Sequence, residues 1–301
     1  MQNIVISGGG VNGIMELGCL KALENFNLLK NIKNYGGSSA GAVICFLLIL
    51  EYSPSDIFII LKKIEFYHFI DDNILNFLDE YSICNLNKFE IILISLLELR
   101  HKVKTITYLE LYNKTKKKLN IVAVNLSDKE LCTFNYINTP NINVIDSVIA
   151  SCSIPMIFPP KTLNKLDYID AFMINNFPIN IFKNDLKNTI GIRITTIKND
   201  SINGDIMGYI FNIFNCILRL TSNLNDKYNA KIHIHIYSNY LPIHFNINND
   251  DKNDLFIRGY NHTTNKINIL KKQHTFNILR KNIISRKYYI KYWYNLFLKL
   301  I

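Results

Sequence analysis

Gly36-Gly37-Ser38-Ser39-Ala40-Gly41, followed by the apolar run Ala42 to Leu50, decides how this chain folds. The short segment Ile32 to Gly36 reads as a strand and the run after Gly41 as a fully buried helix. Gly37 and Gly41, lacking side chains, let the two approach across a sharp turn. A serine at the centre of such a turn takes strained backbone angles that hold its hydroxyl in the open, the arrangement of a nucleophile elbow. The same pentapeptide, Gly37 to Gly41, suits an ordinary serine N-cap equally well. Taken alone it leaves both readings of Ser39 standing.

Upstream the layout repeats. Asn3 to Ser7 is a short apolar run, Gly8-Gly9-Gly10-Val11-Asn12-Gly13 is a tight loop, and Ile14, Leu17, Leu20 and Leu23 recur at helix spacing. Gly8-x-Gly10-x-x-Gly13 after a strand fits a dinucleotide-binding loop. That fingerprint also wants an acidic residue at the end of the second strand, where this chain has Gly36-Gly37-Ser38-Ser39. The same backbone amides suit an oxyanion hole. A plain helix-capping turn is the third reading, although three consecutive glycines cost backbone entropy that a cap does not require.

Downstream, 54–119 is expected to be mostly helical, with Ser53 capping a helix that opens on Pro54 and further periodic segments near 71–79, 87–99 and 107–118. Asn120 to Asn125, Glu130 to Asn135, Leu166 to Ile169, Thr189 to Thr196 and Lys231 to Tyr237 read as strands. Val144 to Cys152 and 206–224 read as helices. Strands alternating with helices predict an α/β fold with three layers, α/β/α, around a largely parallel central sheet.

Bulk properties narrow the function classes. Of 301 residues, 49% are hydrophobic and 19% charged, which suits a packed globular protein. Cys19, Cys45, Cys84, Cys132, Cys152 and Cys216 show neither C-x-x-C nor metal-finger spacing and read as reduced intracellular thiols. The first strand begins at once, without a charged leader or cleavage site, and Ala40 to Leu50 is about half the ~20 residues a membrane span needs. A cytoplasmic protein is expected.

The net charge of +10 has one source: ten of the 34 basic residues and none of the 24 acidic ones lie from Leu255 to Ile301, so the first 254 residues balance at 24 of each. In 271–301 these cations mix with Phe276, Tyr288, Tyr289, Tyr292, Trp293, Tyr294 and Phe297. Such a segment suits a helix lying on an anionic membrane or one docked on its own domain. Nucleic acid is a further partner for any basic aromatic stretch but is not expected here.

A serine nucleophile needs a base. His68, His101, His233, His235, His244, His262 and His274 lie in no distinctive motif, and His233 and His235 alternate on a predicted strand. At Asp167-Tyr168-Ile169-Asp170, by contrast, a carboxylate stands at a strand's C-terminal end, the edge where open α/β sheets place ligands. Asp170 could take a serine proton directly, or be a solvated turn aspartate.

Together these blocks resemble the patatin-like phospholipase family. Its order is a glycine-rich oxyanion loop, G-x-S-x-G, then an aspartate in D-G-[AG]. Ala150-Ser151-Cys152-Ser153-Ile154-Pro155 through Phe158-Pro159-Pro160 is similar to its A-S-x-A-x-P-x-x-F-P-P segment. Asn175-Asn176-Phe177-Pro178 is similar to its N-x-P, and Gly259-Tyr260 to its usual ending. The resemblance implies a patatin-like acyl hydrolase domain over 1–262, with a basic aromatic helical extension over 263–301. It implies Ser39 as nucleophile, Asp170 as its only catalytic partner, Gly8, Gly9, Gly10 and Gly13 as the oxyanion loop, and Gly37 and Gly41 as the elbow. Phospholipid or another acyl lipid would be the substrate, no cofactor or metal is needed, and peripheral membrane contact would run through 271–301.

Two departures matter: Asn12 replaces a basic residue, and Ala171 replaces the glycine after the aspartate. If position 171 needs positive φ, alanine is strained there and Asp170 is displaced. A catalytically impaired lipid-binding protein is therefore the alternative, ahead of a nucleotide-binding α/β protein.

Overall fold

The computed structural model describes residues 1–69, 82, 84–197, 209, 212–214, 216–217 and 227–297, with backbone alone for 68–69 and 274–297. Strand β1 (Asn3–Ile6) passes through a single 3-10 turn, Gly10–Asn12, into α1 (Gly13–Asn25). Strand β2 (Asn34–Ser38) turns into α2 (Ala40–Ile49), whose burial on nearly all sides matches its unbroken apolar sequence. Helices α3 (Pro54–Lys63), α4 (Asn87–His101) and α5 (Tyr108–Thr115) follow. Both α3 and α5 open on capping boxes, Ser53 with Asp56 and Thr107 with Glu110, which satisfy end amides that the helix cannot. The helix expected near 71–79 lies outside the described residues. That expected over 206–224 lies largely outside them, although 209, 212–214 and 216–217 are helical.

The chain continues through β3 (Lys118–Asn125), β4 (Glu130–Phe134), α6 (Val144–Cys152), β5 (Lys161–Leu163), β6 (Leu166–Asp170) and the short α7 (Phe172–Asn175). It ends with β7 (Thr189–Thr196), β8 (Ile232–Ser238) and the 49-residue α8 (Asn249–Phe297). Strand β5 was not expected. Three residues give no periodicity to read, and what makes it a strand is a two-residue turn with φ of +51° at Asn164 and +66° at Lys165 that folds it onto β6.

The sheet has the order β5-β6-β3-β2-β1-β7-β8, with β4 also on β3. Strands β3, β2, β1, β7 and β8 run parallel, whereas β4 and β6 are antiparallel to β3 and β5 to β6. Both faces are covered. Ile4 and Ile6 of β1 point into the main core with α1, α2 and α6, while Val5 between them packs against Phe177 and Ile179 on the other face.

The C-terminal helix packs on this body as far as Ile267. Burial recurs at Lys252, Leu255, Gly259, Thr263 and Ile267, a stripe at helical spacing that lies along α1. A Cβ on Gly259 would stand 2.0 Å from the Met15 carbonyl oxygen, and one on Gly18 2.0 Å from that of Phe256, so the two helix backbones touch where only glycine fits. Lys252, nearly fully buried, donates to the carbonyls of Leu61, Lys62 and Ile64 at 3.2, 3.4 and 2.7 Å, capping the end of α3. The boundary expected after residue 262 falls inside α8 rather than between elements. Among the described residues no helix is long and apolar enough to cross a membrane.

Candidate active site

Strand register brings the two halves of the site together. Strand β4 pairs with Ile121 to Asn125 along one edge of β3, so β2 and β6, which pair with overlapping parts of β3, must share the other edge. Travelling along that edge, β2 ends with Ser38 opposite Val122, and β6, running the opposite way, ends with Asp170 opposite Ala123. The residue after Ser38 therefore meets the last residue of β6. Ser39 and Asp170, 131 positions apart in the chain, become neighbours because two strands abut end to end.

Ser39 has φ +51° and ψ −126°, a conformation that costs a non-glycine residue on the order of 1–3 kcal/mol. It occupies the N-cap position of α2, yet its hydroxyl caps nothing, which sets aside the ordinary-cap reading. Surrounding contacts hold the strained turn. The Ser39 N–H donates to Ser151 Oγ at 2.9 Å, and that hydroxyl donates in turn to the Val122 carbonyl at 2.7 Å. A Cβ on Gly37 would come 2.5 Å from the Gly41 carbonyl oxygen, and one on Gly41 2.3 Å from that of Ile6, so the elbow accepts glycine alone at both ends.

Asp170 is completely buried, not a solvated turn residue. Its Oδ1 accepts the Phe172 N–H at 2.8 Å, and its own N–H donates to the Ser153 carbonyl at 2.8 Å. Burial pushes its carboxyl up to about 7, opposed first by the Ser39 hydroxyl and then by the Phe172 amide. In the resting geometry Oδ2 completes no hydrogen bond among the described residues, as often happens before substrate tightens a site. Ala171 has φ −81° and ψ 4°. The position does not require positive φ, so alanine is unstrained beside Asp170.

The glycine loop divides its amides. Gly8 N–H is spent on the Asn176 carbonyl at 2.8 Å, and the Gly13 N–H on the carbonyls of Gly10 and Val11. These two members of the expected oxyanion set therefore cannot offer amides to a ligand. Gly9 and Gly10 remain, donating to nothing among the described residues. Gly10 has φ +54°, and a Cβ there would stand 2.1 Å from the Pro242 carbonyl oxygen. Gly8 is a spacer: a Cβ on it would stand 2.2 Å from Asn176 Oδ1 and 3.0 Å from the Ser39 Cβ.

An apolar pocket opens at Ser39 and Gly10, walled by Val43, Ile44, Leu61, Phe89, Phe158 and Phe245. No described histidine lines it or hydrogen-bonds Ser39 or Asp170. His235 instead meets Thr195 Oγ1 at 2.8 Å, and His233 stacks on Phe177. Among the described residues no three histidine, cysteine, aspartate or glutamate side chains converge as metal ligands would. Three features escaped sequence reasoning. Ser151 supports the elbow, Asn176 clamps Gly8 through both its carbonyl and its Nδ2, which donates to the Gly8 carbonyl at 3.0 Å, and the stretch at Pro242 and Phe245 supplies part of the pocket. The first two lie in family-like segments, Ala150 to Pro155 and Asn175 to Pro178, and that was their only signal.

Such a site can deprotonate a hydroxyl, hold a negative oxygen beside two free amides and bury an aliphatic chain. Comparisons with known proteins point to a family of lipid hydrolases. The profile of the family described as Patatin-like phospholipase matches residues 4–183. The probable lipid hydrolase 463L of Invertebrate iridescent virus 6 is 34% identical over 205 residues, 65% of this chain and 70% of that protein. Triacylglycerol lipase 4 of Saccharomyces cerevisiae (strain ATCC 204508 / S288c) is 30% identical over 184 residues, 54% of this chain but 19% of that much longer protein. Among solved structures, VipD from Legionella pneumophila shares the fold with a TM-score of 0.59 at 18% identity, over 89% of this chain and 66% of that one.

Proposed function

Since the chain belongs to the patatin-like phospholipase family, a family of lipid hydrolases, we propose that it is a serine esterase of phospholipase A type, cleaving fatty acyl esters with Ser39 and Asp170 through an acyl-enzyme. One observation carries this reading: a strained, uncapped serine lies against a fully buried carboxylate whose proton affinity is raised to about 7. A base with that affinity matches neutral operating pH, whereas an ordinary aspartate would be too weak.

In this mechanism Asp170 Oδ2 takes the proton as Ser39 Oγ attacks the ester carbonyl. Oδ1 keeps its bond from the Phe172 N–H, so the carboxylate stays oriented while its other oxygen works. The carbonyl oxygen, now negative, turns toward the N–H groups of Gly9 and Gly10, and a well-placed donor of this kind is worth ~2.7–4 kcal/mol. Protonated Asp170 returns the proton to the departing alcohol, leaving the acyl group on Ser39 and its chain among Val43, Ile44 and Phe158. Water activated by the same carboxylate then releases the fatty acid.

The pocket supports this substrate class, since its walls are aliphatic and aromatic and suit a fatty acyl chain better than a nucleotide or sugar. Residues 271–301, with their cations and aromatics, complement it as a peripheral contact with anionic membrane. Release of fatty acid from phosphatidylglycerol and phosphatidylcholine vesicles tests the function. The wild type releases it and Ser39→Ala does not; equal release by both would overturn the reading.

A further inference from the structure

The segment Ser238 to Phe245 lies beyond the family match at 4–183, yet it sits directly on the glycine loop. Asn12 joins the two. Its side chain is fully buried, with Nδ2 donating to the Tyr240 carbonyl at 2.9 Å and Oδ1 accepting the Ser238 hydroxyl at 2.6 Å. Ser238 Oγ also accepts the Tyr240 N–H at 3.1 Å, so all three residues form one closed network. Alongside it the Val11 N–H donates to the Pro242 carbonyl at 2.9 Å, the same carbonyl that crowds Gly10. From there the chain reaches Phe245, which walls the pocket, and the Tyr240 hydroxyl donates to Asp251 in the first turn of α8 at 2.8 Å.

We propose that Asn12 is a positioning residue that latches the segment after β8 onto the glycine loop, and that this latch aims the Gly9 and Gly10 amides at the reacting carbonyl. The physical case rests on what each amide has left to do. A loop of three glycines has no side chains to fix its conformation and the largest backbone freedom of any sequence. Val11 is fixed by Pro242 and Asn12 by Ser238 and Tyr240, so the turn that carries the free amides of Gly9 and Gly10, closed internally by the Asn12 N–H on the Gly9 carbonyl and the Gly13 N–H on that of Gly10, is anchored to the body from its C-terminal side by residues 238–242. The latch uses one donor and one acceptor of Asn12, because the Tyr240 carbonyl accepts while the Ser238 hydroxyl, already accepting the Tyr240 N–H, donates. Lysine or arginine, the family's usual residue here, has no acceptor for Ser238. This chain has thus replaced a charge with a two-way hydrogen-bonding group, and its C-terminal segment has become part of the site.

The proposal rests on the esterase reading for its kinetic half only. Asn12→Ala and Ser238→Ala are compared with the full-length wild type by hydrogen exchange at residues 8–13 and by kcat and KM on a soluble p-nitrophenyl ester. Both variants are expected to exchange faster in that loop, and kcat to fall roughly 10- to 100-fold with KM changed less than about 2-fold, the size of effect that slight misplacement of oxyanion donors produces. If Asn12→Ala does not fold, judged by its thermal midpoint, Ser238→Ala carries the test. Unchanged exchange in the loop overturns the latch, and faster exchange with unchanged kcat overturns its role in aiming the amides. A wild type that hydrolyses no ester counts against the esterase reading instead, while exchange still decides whether Asn12 holds the loop.

Discussion

Replacing Asp170 by asparagine should make the protein more stable at alkaline pH while abolishing ester hydrolysis. In the folded protein the Asp170 carboxyl is raised from 3.8 to about 7 by burial. A carboxyl whose folded value lies above its unfolded one keeps its contribution at low pH and loses it as pH rises through the folded value. Below about pH 4 both states hold the proton and nothing is lost. Between about pH 4 and 7 the unfolded chain ionises while the folded one resists, and stability falls steadily. Above about pH 7 the loss saturates at roughly three pKa units, ~4 kcal/mol at 1.36 kcal/mol per unit. About half of that accrues between roughly pH 5.5 and 8.5, a swing of ~2 kcal/mol. Asparagine keeps the shape and an acceptor for the Phe172 N–H but does not titrate. Urea unfolding of both proteins at those two pH values gives the difference directly, and the advantage of Asp170→Asn should grow by ~2 kcal/mol from the lower to the higher pH. The same titration predicts that wild-type kcat/KM rises with pH on a limb near 7. If the stability difference stays flat over this range, Asp170 is not a buried, proton-retaining carboxyl, and its role as a base at neutral pH fails with it.

Gly10→Ala should be more damaging than its size suggests, since it demands φ of +54° and places a methyl 2.1 Å from the Pro242 carbonyl oxygen. Denaturant unfolding should show a loss of at least ~1–2 kcal/mol from the backbone angle alone, and ester turnover should collapse; a variant of wild-type stability and rate would contradict the close approach. Removing 271–301 should leave the packing of α1 against 252–270 in place and cut binding to phosphatidylserine vesicles at low salt, because each basic residue near such a surface contributes about 1 kcal/mol. Co-sedimentation equal to that of the full chain would remove the membrane role of the tail.

The sharp turn around Ser39 could be suspected from the sequence because Gly37 faces the backbone of Gly41 four residues on, whereas the crowding of Gly41 against Ile6 and Ser7 depends on the preceding strand. Asp170 could be suspected from its place at a strand end. Its meeting with Ser39 could not be derived from spacing, since it depends on β2 and β6 abutting along one edge of β3, a fact of register between strands far apart in the chain. The division of labour among Gly8, Gly9, Gly10 and Gly13 was likewise hidden. All four look alike in sequence, and which amides are free is set by the Asn176 carbonyl and the turn at Gly10–Asn12. Asn12 looked like a lost charge, and only the fold reveals Ser238 and Tyr240 waiting for it. Ala171 looked like a strain until its φ of −81° made it an ordinary residue.

The central claim is that Ser39 is a nucleophile activated by Asp170, and covalent labelling with a fluorophosphonate tests it most directly. Intact-mass measurement followed by peptide mapping should find one adduct, on Ser39, in the wild type at pH 8. Ser39→Ala should take up none, and Asp170→Asn should label at least about 100-fold more slowly, as expected when a general base is lost. An unlabelled wild type, an adduct on another serine, or labelling of Asp170→Asn at the wild-type rate would contradict the account.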